Sequence, residues 1–244
     1  MTSHYAVKEL MPKELKNKNT NKYLAKVKIP EHMMLPPFRN LYIAPSNSGK
    51  TLAFANLLTN DIFGYKKLFG KNIFIFSPTI GLDDPSLYGV QIPSENIFDD
   101  YYEDIIDSIV NEQNEIIKEF GKKNAPHILL ILDDLITSIP DTKKDILKKL
   151  FFSARHYCIS LIINSQSFTQ VPRALRLNAS NLFVFQVNDS EIKRIAEEQP
   201  IRAAVFREIY EQATEEPFSF LHINMKKHFK RRYWLRYEPI MFEF

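Results

Sequence analysis

Residues Leu41–Thr51 read LYIAPSNSGKT, and whether this run cradles a phosphate decides the fold. A phosphate cradle needs successive backbone N–H groups turned inward around an anion. It also needs a glycine where a side chain would clash, a lysine reaching the β- and γ-phosphates, and a Ser/Thr hydroxyl for Mg2+. Gly49, Lys50 and Thr51 supply the last three, and Ala44, Pro45, Ser46, Asn47 and Ser48 make up the rest of the loop. Ala44 stands where such loops usually open with a glycine, so the strict pattern is broken by one methyl group. A chance Gly-Lys-Thr in a Ser/Gly-rich turn would lack the strand before and the helix after that a P-loop requires. Here Arg39–Ile43 reads as a strand, and Thr51–Thr59 reads as a helix with Leu52, Ala55 and Leu58 as its apolar positions.

Working outward, short continuous apolar runs alternate with helical periodicity. Asn72–Phe76, His127–Leu132, Cys158–Ile163 and Leu182–Val187 read as buried strands. Tyr101–Phe120 reads as one helix or two, and Asp141–Phe152, Ser190–Glu198 and Ile201–Ala213 as further helices. Thr79–Ser94 reads as loop, and Phe218–Ile223 as a strand paired with Arg232–Tyr237 in a hairpin. This alternation predicts an α/β fold: a mostly parallel sheet flanked by helices, with its ligand beyond the carboxyl ends of the strands. The expected division is a basic N-terminal arm over 1–35, a P-loop core over 36–200, and a helix and β hairpin over 201–244.

A phosphate cradle acts with a carboxylate at a neighbouring strand end. HILLILDD places Asp133 and Asp134 directly after the most apolar run in the chain. Asp133 is expected to hold Mg2+ together with Thr51, and Asp134 to orient the attacking water. An acidic turn is the alternative for the pair taken alone. Gln166 follows another buried run, where its amide could contact the γ-phosphate or cap a loop. Arg155, in SARHY between a helix and that strand, could reach a neighbouring subunit's nucleotide or simply face solvent.

Composition bounds the rest. The chain has 244 residues, long enough for a full core, and 45% hydrophobic content. The single cysteine, Cys158, excludes an intramolecular disulfide. No apolar run reaches the roughly 18 residues of a membrane span, and the first residues lack the apolar core of a signal peptide. Net charge is +3, unevenly spread. Lys8, Lys13, Lys16, Lys18, Lys22, Lys26, Lys28 and Arg39 precede the cradle, while Lys226, Lys227, Lys230, Arg231, Arg232 and Arg236 crowd the tail. Both are solvated surface or contacts to a polyanion, nucleic acid foremost. The tail residues Lys226, Lys227, Lys230, Arg231 and Arg232 are the candidate DNA contacts.

LYIAPSNSGKT, IFIFSPT, HILLILDD, SARHYCISLIINSQSF and VPRALRLNASNLFVFQ follow one another in an order that resembles the FtsK–HerA superfamily of P-loop ATPases. More closely, the chain resembles the poxvirus-type genome-packaging ATPases of large DNA viruses and their virophages, over about residues 38–200. The resemblance implies a RecA-like (ASCE) core with a terminal β element, ATP and Mg2+ as ligands, and a homo-oligomeric ring, pentamer or hexamer, around double-stranded DNA. It implies Mg2+-dependent ATP hydrolysis driving DNA into a preformed capsid, a capsid protein or portal vertex as docking partner, and a place in the host cytoplasm, the virus factory or the virion. On this chain the implied nucleotide-binding residues are Ala44–Thr51, the carboxylate pair Asp133 and Asp134, the polar sensor Gln166 and the trans-acting arginine Arg155. Ala44 departs from the family's first glycine, and Asp134 from the glutamate common in the wider superfamily. A helicase on the same core, a small-molecule phosphotransferase and a non-hydrolysing nucleotide-dependent module are the rival readings.

Overall fold

The computed structural model describes residues 21–30, 33–79, 87, 89–136, 139 and 145–240. The arm lysines Lys8, Lys13, Lys16 and Lys18, most of the loop after Thr79 and the start of the helix expected from Asp141 lie outside them. Nine strands form one sheet. They are β1 (Arg39–Ile43), β2 (Ile73–Phe76), β3 (Ile97–Phe98), β4 (Ile128–Asp133), β5 (Ile159–Ser165), β6 (Asn181–Val184), β7 (Leu221–Asn224), β8 (Tyr233–Leu235) and β9 (Glu238–Pro239). Their order across the sheet is β3-β2-β4-β5-β1-β6-β7-β8-β9. The first six in that order run parallel and the last three antiparallel.

Parallel strands are covered on both faces, so they need apolar residues at every position. All of β4 and β5 is buried. One face of the sheet packs Leu41, Ile43, Leu130, Leu132, Leu161 and Ile163 against α3 (Glu103–Phe120), α4 (Asp145–Tyr157) and the helices that follow. The other face packs Tyr42, Leu129, Ile131 and Ile162 against α1 (Lys50–Thr59) and α2 (Tyr65–Phe69). The remaining helices are α5 (Arg173–Asn178), α6 (Asp189–Glu197) and α7 (Ala203–Ala213).

Three differences from the sequence reading matter for the site. Tyr101–Phe120 is a single helix from Glu103. The helix expected to stop at Phe152 runs on to Tyr157, because buried Ala154 continues the apolar stripe of Leu147, Leu150 and Phe151. Arg155 therefore lies inside the last turn of α4 and not in a connector. The strand expected from Phe218 begins at Leu221, because Pro217 and Phe218 form a turn in which Phe218 takes φ +60°. The 201–244 segment extends the sheet through β7, and Tyr233 of the tail is buried 6.3 Å from Phe206 of α7.

Candidate active site

The loop from Ala44 to Gly49 joins the carboxyl end of β1 to the N-terminus of α1. Two of its residues take left-handed backbone conformations, Asn47 at φ +60° and Gly49 at φ +90°. Asparagine tolerates that region, and glycine enters it without a Cβ penalty. Ala44 stays outside the left-handed region and is fully buried, and its N–H donates to Ser165 O at 3.0 Å. The alanine in place of the first glycine therefore costs the loop no forbidden conformation. Pro45–Leu52, Thr79, Asp133, Asp134 and Phe218 line a cleft of about 510 Å3. A helix N-terminus opens into it, and unsatisfied N–H groups with the positive end of the dipole favour an anion there.

Lys50 is buried, and its ammonium donates to Ala44 O at 3.0 Å. It also lies 3.4 Å from Asp134 Oδ2 and 3.3 Å from Oδ1, the second without hydrogen-bond alignment. The structure thus brings Lys50, Asp133 and Asp134 together from two strands separated by β5. The two carboxylates diverge because Asp134 turns to φ +52° at the strand end. Asp133 points into the protein, where Ser77 Oγ donates to its Oδ2 at 3.1 Å and Asn164 Nδ2 to its Oδ1 at 2.5 Å. Burial pushes the Asp133 carboxyl up from its ordinary value, and the Asn164 and Ser77 donors with the Lys50 charge pull it back. Asp134 faces the cleft and accepts from Gln166 Nε2 at 3.3 Å. A second, smaller cavity of about 210 Å3 lies beside it, lined by Asp134, Ile136, Ser165, Gln166 and Gln170.

Thr51 is half-buried in the first turn of α1 and reaches the cleft. Among the described residues no three His, Cys, Asp or Glu side chains converge on one point. A cation held by Thr51 and Asp133 would complete its shell with water and phosphate oxygens, which is the habit of Mg2+ and not of Zn2+. The donor set is all oxygen, and it fits.

Several participants escaped the sequence reading. Ser77 and Asn164 are polar residues at the ends of apolar strands, as Asp133 is, and that shared position was the available signal. Glu191 of α6 accepts from Phe168 N at 2.8 Å and from Ser167 Oγ at 2.5 Å, pinning the loop that carries Gln166. Arg176 of α5 holds the same loop. It donates to Phe168 O at 3.1 Å, lies over the Phe168 ring and pairs with Glu198 at 2.8 Å. The second arginine in PRALRLN, Arg176, is thus a brace for the Gln166 loop.

Arg155 is not part of this cleft. It is exposed at the end of α4 that leads into β5, at the sheet edge opposite the P-loop. Strand β1 alone separates the two edges by about 13 Å. Around Arg155 gather Arg39, which opens β1, and Lys226, which follows β7. Desolvation first and then Arg155 lower the pKa of Arg39, while desolvation, Arg39 and Arg155 lower that of Lys226. Lys227, Lys230 and Arg231 are exposed nearby in sequence, and half-buried Arg232 donates to Lys227 O at 3.2 Å. The tail cations and Arg155 therefore share one edge. A separate groove of about 660 Å3 against α3 is lined by Glu103, Asp104, Asp107 and Asp145 with Lys149, and so repels phosphates. Among the described residues no helix is long and apolar enough to cross a membrane.

Solved structures share this architecture. The DNA-packaging ATPase B204 from Sulfolobus turreted icosahedral virus superposes with a TM-score of 0.55 at 15% identity, over 78% of this chain and 94% of that one. ATPases 2 and 3 of EssC from Geobacillus thermodenitrificans superpose with a TM-score of 0.56 at 14% identity, over 79% of this chain and 39% of that one. At such identities the likeness is one of fold, that of P-loop ATPases. In sequence, DNA packaging protein OPG160 of vaccinia virus is 25% identical over 176 residues, covering 70% of this chain. This chain spans 62% of the length of that relative. The family model for the Poxvirus A32 protein matches residues 29–210, which include the P-loop, the paired aspartates, Arg155 and Gln166. The cleft, apart from Phe218, and the strands that build it fall within that match, and the chain belongs to the Poxvirus A32 protein family.

Proposed function

We propose that this chain is an ATP-driven motor that moves double-stranded DNA into a preformed capsid. The observation that carries the reading is the convergence of Lys50, Asp133 and Asp134 beside an anion-binding helix N-terminus, in a chain whose family includes a relative named for DNA packaging. The Ser46–Gly49 backbone and Lys50 receive the phosphates, and Thr51 and Asp133 hold Mg2+. Bound there, Mg2+ neutralises charge on the β- and γ-phosphates. In the structure Lys50 lies against Asp134. A γ-phosphate draws that ammonium to itself and leaves the Asp134 carboxylate free to orient a water in the small cavity it shares with Gln166. Hydrolytic competence then depends on a filled site, which limits idle turnover.

Arg155 lies too far from its own cleft to touch its nucleotide, so we assign it to a neighbour's, in a ring of five or six copies. Lys226, Lys227, Lys230, Arg231 and Arg232 are assigned to the DNA backbone, contacts that position a duplex without reading bases. Docking on a capsid protein or portal vertex, and a place in the host cytoplasm, virus factory or virion, follow from the packaging role. We assign 1–35 to a basic arm, 36–200 to the ATPase core and 201–244 to the segment that completes the sheet.

The test separates binding from turnover. Lys50→Ala should lose nucleotide affinity. Asp134→Ala should keep it while hydrolysis falls by about 100-fold or more, the usual contribution of a positioned base. Duplex DNA should stimulate the wild type. Wild-type hydrolysis in Asp134→Ala would remove the water-orienting role. Phosphorylation of a nucleoside without stimulation by DNA would replace the motor with a phosphotransferase.

A further inference from the structure

The turn before β7 carries a feature that folding does not explain. Ser219 N–H donates to Glu216 O at 3.1 Å, closing a four-residue turn with Pro217 and Phe218 at its centre. Proline is at home in the first central position, and a positive φ in the second normally calls for glycine. Phenylalanine occupies it instead, at φ +60°. Left-handed backbone at a bulky residue is strained, and burying the ring would offset that strain. The ring is not buried, since Phe218 is 66% exposed. The turn is nonetheless held firmly at its root. Ser219 is buried and its Oγ accepts from Arg236 Nε at 3.2 Å, while Arg236 N–H donates to Phe220 O at 3.0 Å.

The ring is aimed at the P-loop. A Cβ built on Gly49 would stand 3.2 Å from Phe218 Cδ1 and 3.8 Å from Cγ, so the ring edge lies over the bare α-carbon of Gly49. Leu52, in the first turn of α1, lines the same cleft and is 53% exposed. Two large, exposed apolar side chains thus flank one rim of a cleft whose floor is polar and cationic. Phosphates take the floor, the N–H groups and Lys50. An apolar rim with an open aromatic face offers a phosphate nothing, but it suits a flat, weakly hydrated heterocycle.

We propose that Phe218, with Leu52 on the same rim, is the platform on which the nucleobase of the bound nucleoside triphosphate stacks. This rests on the nucleotide-binding reading above and extends it to the base. Stacking is tolerant of base identity because every base has a π-face. The platform therefore contributes affinity for a nucleotide over bare polyphosphate and leaves the choice among bases to other groups. The strain at Phe218 is the cost of holding the ring there.

The experiment compares two ligands, ATP and inorganic triphosphate, on the full chain by titration calorimetry. The variants are Phe218→Gly, Phe218→Tyr and Lys50→Ala. The wild type should bind ATP more tightly than triphosphate. Phe218→Gly should lose about tenfold in ATP affinity and leave triphosphate affinity unchanged. Its melting temperature should hold or rise, because glycine accepts the left-handed backbone. Phe218→Tyr keeps the π-face and should retain ATP affinity. An unchanged ATP affinity in Phe218→Gly, with triphosphate still bound and Lys50→Ala still defective, overturns the base platform and leaves the P-loop reading standing. Equal losses for ATP and triphosphate would make the ring a prop for the loop, and also overturn it. A wild type that binds neither ligand overturns both readings.

Discussion

Asn164→Ala tests whether the buried carboxylate is organised as the geometry says. Asp133 is 3% exposed, and its two oxygens take one donor each, Asn164 Nδ2 and Ser77 Oγ. Truncating Asn164 leaves one oxygen of an ionised carboxylate without its donor. A hydrogen bond to a charged group contributes about 1.5–3 kcal/mol, so a loss of about 2 kcal/mol is expected near neutral pH. For a chain of this length that lowers Tm by about 4–8 °C. The sign with pH follows from the direction of the shift. Burial raises the folded Asp133 pKa above its unfolded value, so its ionisation destabilises the fold fully above the folded pKa and not at all below the unfolded one. Removing Asn164 raises the folded pKa further. The deficit should therefore be largest at neutral pH and shrink at about pH 4.5, closer to the ordinary aspartate value. Calorimetric melts of wild type and variant at the two pH values make the measurement. Ser77→Ala, losing a neutral hydroxyl donor at 3.1 Å, should show a smaller drop with the same pH trend. An equal Tm deficit for Asn164→Ala at both pH values would mean that Asn164 acts through packing alone, and the reasoning fails. If Asp133 holds Mg2+ as a carboxylate, as proposed, the acid limb of the ATPase pH profile should also move to higher pH in Asn164→Ala.

Arg155 and the tail make separable predictions. Arg155→Ala subunits mixed with Asp134→Ala subunits should regain ATP hydrolysis at interfaces that pair an intact finger with an intact site; no recovery at any ratio, with mixed rings confirmed by native mass spectrometry, counts against trans action. Replacing Lys230, Arg231 and Arg232 with alanine should flatten the dependence of duplex affinity on salt by a log–log slope of about 2–3, while basal nucleotide binding stays near normal. An unchanged slope places the DNA contacts elsewhere, and a marked preference of the wild type for single strands favours a helicase. Because Lys226 sits with Arg39 and Arg155, Lys226→Ala should relieve their mutual repulsion and be neutral or slightly stabilising in a thermal melt; a drop of several degrees would contradict the repulsion inferred here.

Local chemistry made much of the molecule legible in the amino-acid order. Continuous apolar runs such as His127–Leu132 and Cys158–Ile163 read as strands covered on both faces, and β4 and β5 lie there. Gly49-Lys50-Thr51 after one such run, and Asp133-Asp134 after another, placed the candidate phosphate and metal ligands at strand ends, where the structure has them. Those signals are local, each needing only a period or a motif. What the tertiary structure decided depends on strand order, which the chain does not spell out. With β5 between β4 and β1, Asn164 comes beside Asp133, and the Lys50 ammonium reaches Asp134 across it. The antiparallel return of β7 carries Lys226 to the edge where Arg39 and Arg155 already stand. The buried line Asn40–Asn181–His222 across β1, β6 and β7 pairs polar groups that look unrelated in sequence, and burial holds His222 neutral with its pKa near 3. Phe218 is the sharpest case. Read locally, FSFLHI is a strand, and only the packing of its turn against Gly49 shows that the first phenylalanine leaves the sheet for the P-loop.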